Sequence, residues 1–142
     1  MSEYISSKLR KAVKIRAGNR CEYCQWFAEY SITTYHIDHI IPVSKGGLTM
    51  PHNLAFSCGG CNGFKNNRTM CFDEISQSQT IIFNPRKHSW NQHFAWTGNF
   101  EKVKGITEIG RAAVQCLRLN RIELMNLRRE FLKLGIHPPY IF

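Results

Sequence analysis

HIDHIIPVSKGGLTMPHNLAFSC, residues 36–58, decides how this chain folds. Ser31 to Ile37 (SITTYHI) are β-branched or aromatic at most positions and suit a strand. Pro42 and the Gly46-Gly47 pair mark a loop, and Leu54 to Ser57 form a second short strand. From Cys61 the segment CNGFK reads as a short helix, which Gly63 weakens. The order is strand, loop, strand, helix. Flanking it are two matched pairs, Cys21-x-x-Cys24 and Cys58-x-x-Cys61. Each pair brings two thiolates within reach of one metal, and together they complete the tetrahedral set of four sulfurs that a structural Zn²⁺ takes. Such an ion would supply folding energy that a small hairpin core lacks.

The chain has 142 residues, enough for a compact core over residues 1–70 with an extension over 71–142. Lys and Arg outnumber Asp and Glu by 19 to 10, and a net charge of +9 on so small a body attracts a polyanion, nucleic acid first among them. The start MSEYISSKLRKAVKIRAG has no apolar run of signal-peptide length, and nothing approaches the roughly 20 apolar residues of a membrane span. The expectation is a cytoplasmic protein without membrane contact. In that reducing setting paired cysteines are metal ligands, and Cys71 and Cys116 are ordinary buried thiols.

Ser6 and Ser7 are both suited to cap a helix that carries Leu9, Ala12 and Val13 on one face and stops near Gly18. Lys8, Arg10, Lys11, Lys14 and Arg16 make it strongly basic, and Lys11 and Lys14 are candidate phosphate contacts. Strand alternation gives His36 the same direction as Asp38, so His36 is a further candidate contact. Lys65, one turn beyond Asn62, is placed to meet a phosphate.

Asp38 offers a hard oxygen ligand, His39 an imidazole base, and Asn53 and Asn62 amides that orient groups or bind a cation. Asp38-His39, Asn53-Leu54 and Cys58-Gly-Gly-Cys61-Asn62-Gly-Phe-Lys65 resemble the HNH endonuclease family over about residues 6 to 68. The likeness is to the HNN variant, since Asn62 stands where the family has its third-letter histidine. The resemblance implies an α+β fold: a zinc-stabilised ββα-metal finger, here with an N-terminal basic helix and a C-terminal strand-plus-helix extension. It implies that His39 is the general base, that Asn53 holds the loop bearing it, and that Asp38 and Asn62 bind the catalytic cation. It also implies hydrolysis of DNA, most readily double-stranded, to 5′ phosphate and 3′ hydroxyl ends. An amide in place of an imidazole favours a hard ion, Mg²⁺ or Mn²⁺. A catalytically idle, zinc-stabilised nucleic-acid-binding module and an RNA-directed nuclease are the alternatives.

Past residue 70, IIFNPRKHSWNQHFAW (residues 81–96) combines a strand-like run, a turn at Asn84-Pro85, and Arg86, His88, Trp90, His93 and Trp96 in close succession. The tryptophans either pack a small core or stack on nucleic acid. Val103 to Ile106 read as a strand pairing with the one before, and Thr107 as the cap of a helix from Glu108. Leu124, Leu127, Phe131 and Leu134 form an apolar stripe, interspersed with Arg121, Arg128, Arg129 and Lys133. That stripe either closes on the core or forms a homodimer through the C-terminal helices.

Overall fold

The computed structural model describes residues 4–141, which divide into two compact units. The first runs to Thr69 and takes in Asn84–Lys87; the second comprises Met70–Phe83 and the chain from His88 onward.

In the first unit, α1 spans Ser7–Arg16 and is capped by Ser6, whose hydroxyl accepts from the Leu9 N–H. Gly18 ends it with a left-handed φ of 64°. Ile5 and Val13 are buried with Leu54 and Phe56, and Leu9, Ala17, Tyr35 and Ile37 pack around them. Ala12, expected on the apolar face, is exposed, and Ile5 ahead of the helix fills that place.

Strands β1 (His36–His39) and β2 (Leu54–Ser57) pair antiparallel, His36 opposite Ser57 and His39 opposite Leu54. The strand expected over Ser31–Ile37 begins only at His36, because β2 offers four residues to pair with and no more. Residues 31–35 are tied to the Trp26–Phe27 segment instead. The Ser31 hydroxyl donates to the Phe27 carbonyl at 2.8 Å and the Tyr35 hydroxyl to the Trp26 carbonyl at 2.9 Å, while Ile32 is fully exposed. Helix α2 (Gly59–Lys65) starts two residues earlier than Cys61, since Cys58 caps it, with Sγ accepting from the Cys61 N–H.

The second unit holds two hairpins. Strands β3 (Met70–Asp73) and β4 (Ser78–Ile81) form one. The other joins β5 (Phe94–Trp96) to β6 (Val103–Gly105), directly after the single turn α3 (Trp90–His93). The partner of β6 is therefore Phe94–Trp96, not the Ile81 run. Thr107 caps α4 (Glu108–Cys116) by accepting from the Gly110 N–H at 3.0 Å, and α5 spans Ile122–Lys133. Phe83, Trp90, Phe94 and Leu117 are buried, so the tryptophan-rich segment builds a core. The apolar stripe of α5 is broken: Leu124 is buried, Leu134 is 67 % exposed, and Arg128 is the most enclosed residue of the helix. Its guanidinium donates to the carbonyls of Glu101 and Leu119 and to Asn120 Oδ1, which explains how a charge sits inside. Cys71 and Cys116, expected as separate thiols, form a disulfide. β3 lies against α4 and brings positions 45 apart in sequence to a Cα separation of 6.0 Å, well inside bridging range.

Candidate active site

The loop between β1 and β2 is stapled by one side chain. Asn53, buried at the end of the loop, accepts from the Ile41 N–H at 2.9 Å through Oδ1, and its Nδ2 donates to the carbonyls of Ile41 and Leu48 at 3.0 and 2.9 Å. Pro42 C=O accepts from Lys45 and Gly47 N–H. A Cβ on Gly47 would fall 1.7 Å from the Ile41 oxygen and 2.9 Å from Asn53 Nδ2, so only glycine fits beside the staple. Geometry thus gives Asn53 a loop-holding task.

His39 leaves β1 half-buried. Its Nε2 meets the Thr49 hydroxyl at 2.9 Å, and its Nδ1 has no hydrogen-bond partner among the described residues. If Nε2 carries the proton, Nδ1 is the basic nitrogen.

Asp38, the neighbour of His39, is 5 % exposed and opposite Ala55. The Tyr23 hydroxyl donates to its Oδ2 at 2.7 Å, and Lys65 Nζ lies 3.1 Å from Oδ2 and 3.3 Å from Oδ1. Burial pushes the Asp38 carboxyl above its ordinary value, opposed by the Lys65 ammonium and the Tyr23 hydrogen bond. Burial likewise pushes the Tyr23 phenol well up, which keeps it a donor.

Asn62 and Lys65 are three apart on α2 and share a face. The Asn62 side chain makes no hydrogen bond to another described residue and is free to accept a ligand. A cleft of about 300 Å³ is lined by Asp38, His39, Pro42, Ser44, Asn62 and Asn66 among others, so two neighbouring residues of β1 and Asn62 of α2, distant from them in sequence, border one space.

The other expected contacts separate. Lys65 is fully buried and bound to Asp38 and to the His39 carbonyl at 3.2 Å, so it does not reach a phosphate. His36 is exposed at the start of β1 and does not line the cleft. Lys8, Lys11 and Lys14 are exposed on α1, whereas the Arg16 guanidinium turns inward to the carbonyls of Pro51 and Leu54.

Cys21, Cys24, Cys58 and Cys61 are all buried, with their four sulfurs within 4.8 Å of one another. Cys24 and Cys58 Sγ are 3.8 Å apart, matching the spacing of about 3.8 Å set by a tetrahedral Zn²⁺ with sulfurs at about 2.3 Å. The N–H groups of Cys24 and Cys61 point at Cys21 and Cys58 Sγ at 3.5 and 3.4 Å. Burial pushes the Cys21 thiol up, while hydrogen bonds from Cys21, Cys24 and Cys61 hold Cys58 far below its ordinary value. Four enclosed sulfurs with converging donors are a donor set fit for a metal such as zinc.

Three partners of the site carried no sequence signal: Tyr23, Thr49 and Glu22. The Glu22 carboxylate pairs with Arg86 and accepts from the Phe56 N–H at 2.8 Å, and Arg86 also donates to the Leu54 carbonyl at 3.3 Å. Asn84–Lys87 is thereby fastened to β2.

A hairpin and a helix around a cleft, braced by four cysteines, define a ββα finger of the zinc-stabilised kind. Residues 21–68, about a third of the chain, match the family model of the HNH endonuclease. Comparison with curated proteins and with solved structures gave no match.

Proposed function

We propose that the protein is a metal-dependent endonuclease hydrolysing DNA phosphodiester bonds. The observation that carries this reading is the single cleft bordered by Asp38, His39 and Asn62. His39 takes the proton of the attacking water through Nδ1, a role typically worth about 10²- to 10⁴-fold in rate. Asn53 and Thr49 hold the ring toward that water. Asp38 and Asn62 would hold Mg²⁺ or Mn²⁺, a carboxylate and an amide oxygen being donors suited to a hard ion. Such an ion stabilises charge on the phosphoryl group and on the departing oxygen. Lys8, Lys11 and Lys14 give α1 an exposed basic side able to follow a phosphate backbone, consistent with the net charge of +9. The four cysteines hold structural Zn²⁺, and the cytoplasm is the proposed location.

One observation favours an idle, nucleic-acid-binding module instead: the Asp38 carboxylate is already neutralised by Lys65. Plasmid cleavage separates the two. With Mg²⁺ or Mn²⁺ the protein is expected to nick or cut supercoiled DNA, and His39→Ala to lose that activity. Intact plasmid, or a variant as fast as the wild type, would overturn the hydrolase. Structured RNA and single-stranded DNA run in parallel define the substrate.

A further inference from the structure

Lys65 is fully buried, a rare condition for lysine unless it is paired, and its charge has Asp38 as its partner. Its ammonium contacts both oxygens of Asp38 at 3.1 and 3.3 Å and donates to the carbonyl of His39 at 3.2 Å. No other acid pairs with it among the described residues. Asp38 is itself buried and would be left without a counter-charge if Lys65 were absent. Asp38 nevertheless borders the cleft, on the side where Asn62 offers an unengaged amide. Asp38 is therefore at once the partner of an internal cation and a lining residue of the space where an external one would bind.

Building on the proposed cation site of Asp38 and Asn62, we propose that Lys65 is the built-in counter-ion of Asp38, so that a divalent ion binds by competing with its ammonium. Like charges sharing one carboxylate repel, so the permanent positive charge weakens divalent binding. The same charge keeps the metal-free finger folded, because it spares Asp38 from burial alone. Lys65 thus tunes the concentration of divalent ion at which the site fills. It also ties α2, the helix of Asn62, to β1, the strand of Asp38 and His39. It acts on the cation only through Asp38 and is a positioning residue.

The test is Mn²⁺ binding followed by electron paramagnetic resonance on the full-length, zinc-loaded protein, with melting temperature measured with and without Mn²⁺. Lys65→Met keeps the length of the side chain and removes its charge. Lys65→Gln also removes the charge, retains a donor for the His39 carbonyl, and serves if the first variant does not fold. Both are expected to bind Mn²⁺ at least tenfold more tightly than the wild type. Both should melt lower without metal and gain more on its addition. Tyr23→Phe, which removes a neutral hydrogen bond from the same carboxylate, should show no tightening. Asp38→Asn should abolish binding. Equal or weaker binding in the neutral Lys65 variants, with Asp38-dependent binding intact in the wild type, overturns the inference alone. Absence of Asp38-dependent binding in the wild type and in the Lys65 variants overturns the proposed cation site, and the inference with it.

Discussion

His39 Nε2 and the Thr49 hydroxyl stand 2.9 Å apart across the loop that joins the two strands of the finger. If that hydroxyl accepts from Nε2–H, it fixes both the tautomer and the ring plane and leaves Nδ1 for the water of the proposed reaction. Thr49→Val keeps the shape and removes the acceptor. The expected result is a fall in kcat of roughly tenfold, the scale at which supporting hydrogen bonds act on site residues, with KM and melting temperature little changed. Steady-state kinetics on a fluorescent DNA duplex would check it, and an unchanged kcat would remove Thr49 from the site.

Asn53 carries three hydrogen bonds from one buried amide. Asn53→Ala leaves the N–H of Ile41 and two carbonyls without these partners, each unsatisfied buried group costing about 1–3 kcal/mol. Both stability and rate are expected to fall, the rate further, because the loop that aims His39 is released. Asn53→Asp supplies the acceptor for Ile41 N–H but places a carboxylate against two carbonyls, and should rescue neither. Denaturant titration and plasmid nicking, run on the same preparations, distinguish the two effects.

What could be read from residues alone follows the range of the interaction. The Ser6 and Thr107 caps, the β2 strand and the CNGFK helix depend on neighbours within one turn or one strand, and the structure contains each of them. The grouping of the four cysteines was legible for a different reason: C-x-x-C spacing makes each half of the cluster local, and only the meeting of the halves is long-range. Lys65 and Asp38 are 27 residues apart, and Glu22 and Arg86 are 64 apart; neither pair has a spacing signal. Lys65 falls on a helix face that looked solvent-ready because lysine usually is. Arg128 was hidden by the same assumption, although a guanidinium has enough donors to satisfy three acceptors indoors. Ser31–Tyr35 differ in the opposite direction: strand-forming residues without a strand to pair with are tied to the carbonyls of Trp26 and Phe27.

The two proposed metal sites should respond to chelators in different ways. Thiolate ligands and burial make a zinc site resistant, and structural Zn²⁺ in small fingers contributes about 10–16 kcal/mol of apparent binding energy at neutral pH. Brief EDTA treatment is therefore expected to abolish cleavage, and Mg²⁺ or Mn²⁺ to restore it, while one zinc per chain remains by elemental analysis. Cys58→Ser should lose zinc and unfold the first unit, as Cys58 both joins the cluster and caps α2. A zinc-free protein with native circular dichroism would contradict the assignment.

The disulfide between Cys71 and Cys116 closes a loop with a sequence separation of 45, for which the chain-entropy relation gives about 4 kcal/mol of stabilisation. Reduction, or paired replacement of both cysteines by serine, should lower the stability of the second unit by up to that amount. The four-cysteine cluster and its metal should be untouched. Thiol counting with mass spectrometry, on protein purified under alkylating conditions, would also reveal whether the bridge persists in the cell. A reducing cytoplasm opens most such bridges.

Acid should weaken the second unit through Asp73. Hydrogen bonds from Arg111, which reaches both carboxylate oxygens at 3.1 and 2.9 Å, hold the Asp73 carboxyl well below the usual range; Ser76 N–H adds another at 3.2 Å. A carboxyl with a depressed folded-state pKa stabilises the fold fully above its unfolded value of about 3.9, and that stabilisation is lost as pH falls toward the folded value. Asp73→Asn is thus expected to melt below the wild type at pH 7, with the gap closing progressively below about pH 4. Melting curves by circular dichroism across pH 3 to 7 would check it. A gap that stays constant over that range would mean that Asp73 acts through the shape of the β3–β4 turn, its charge contributing nothing.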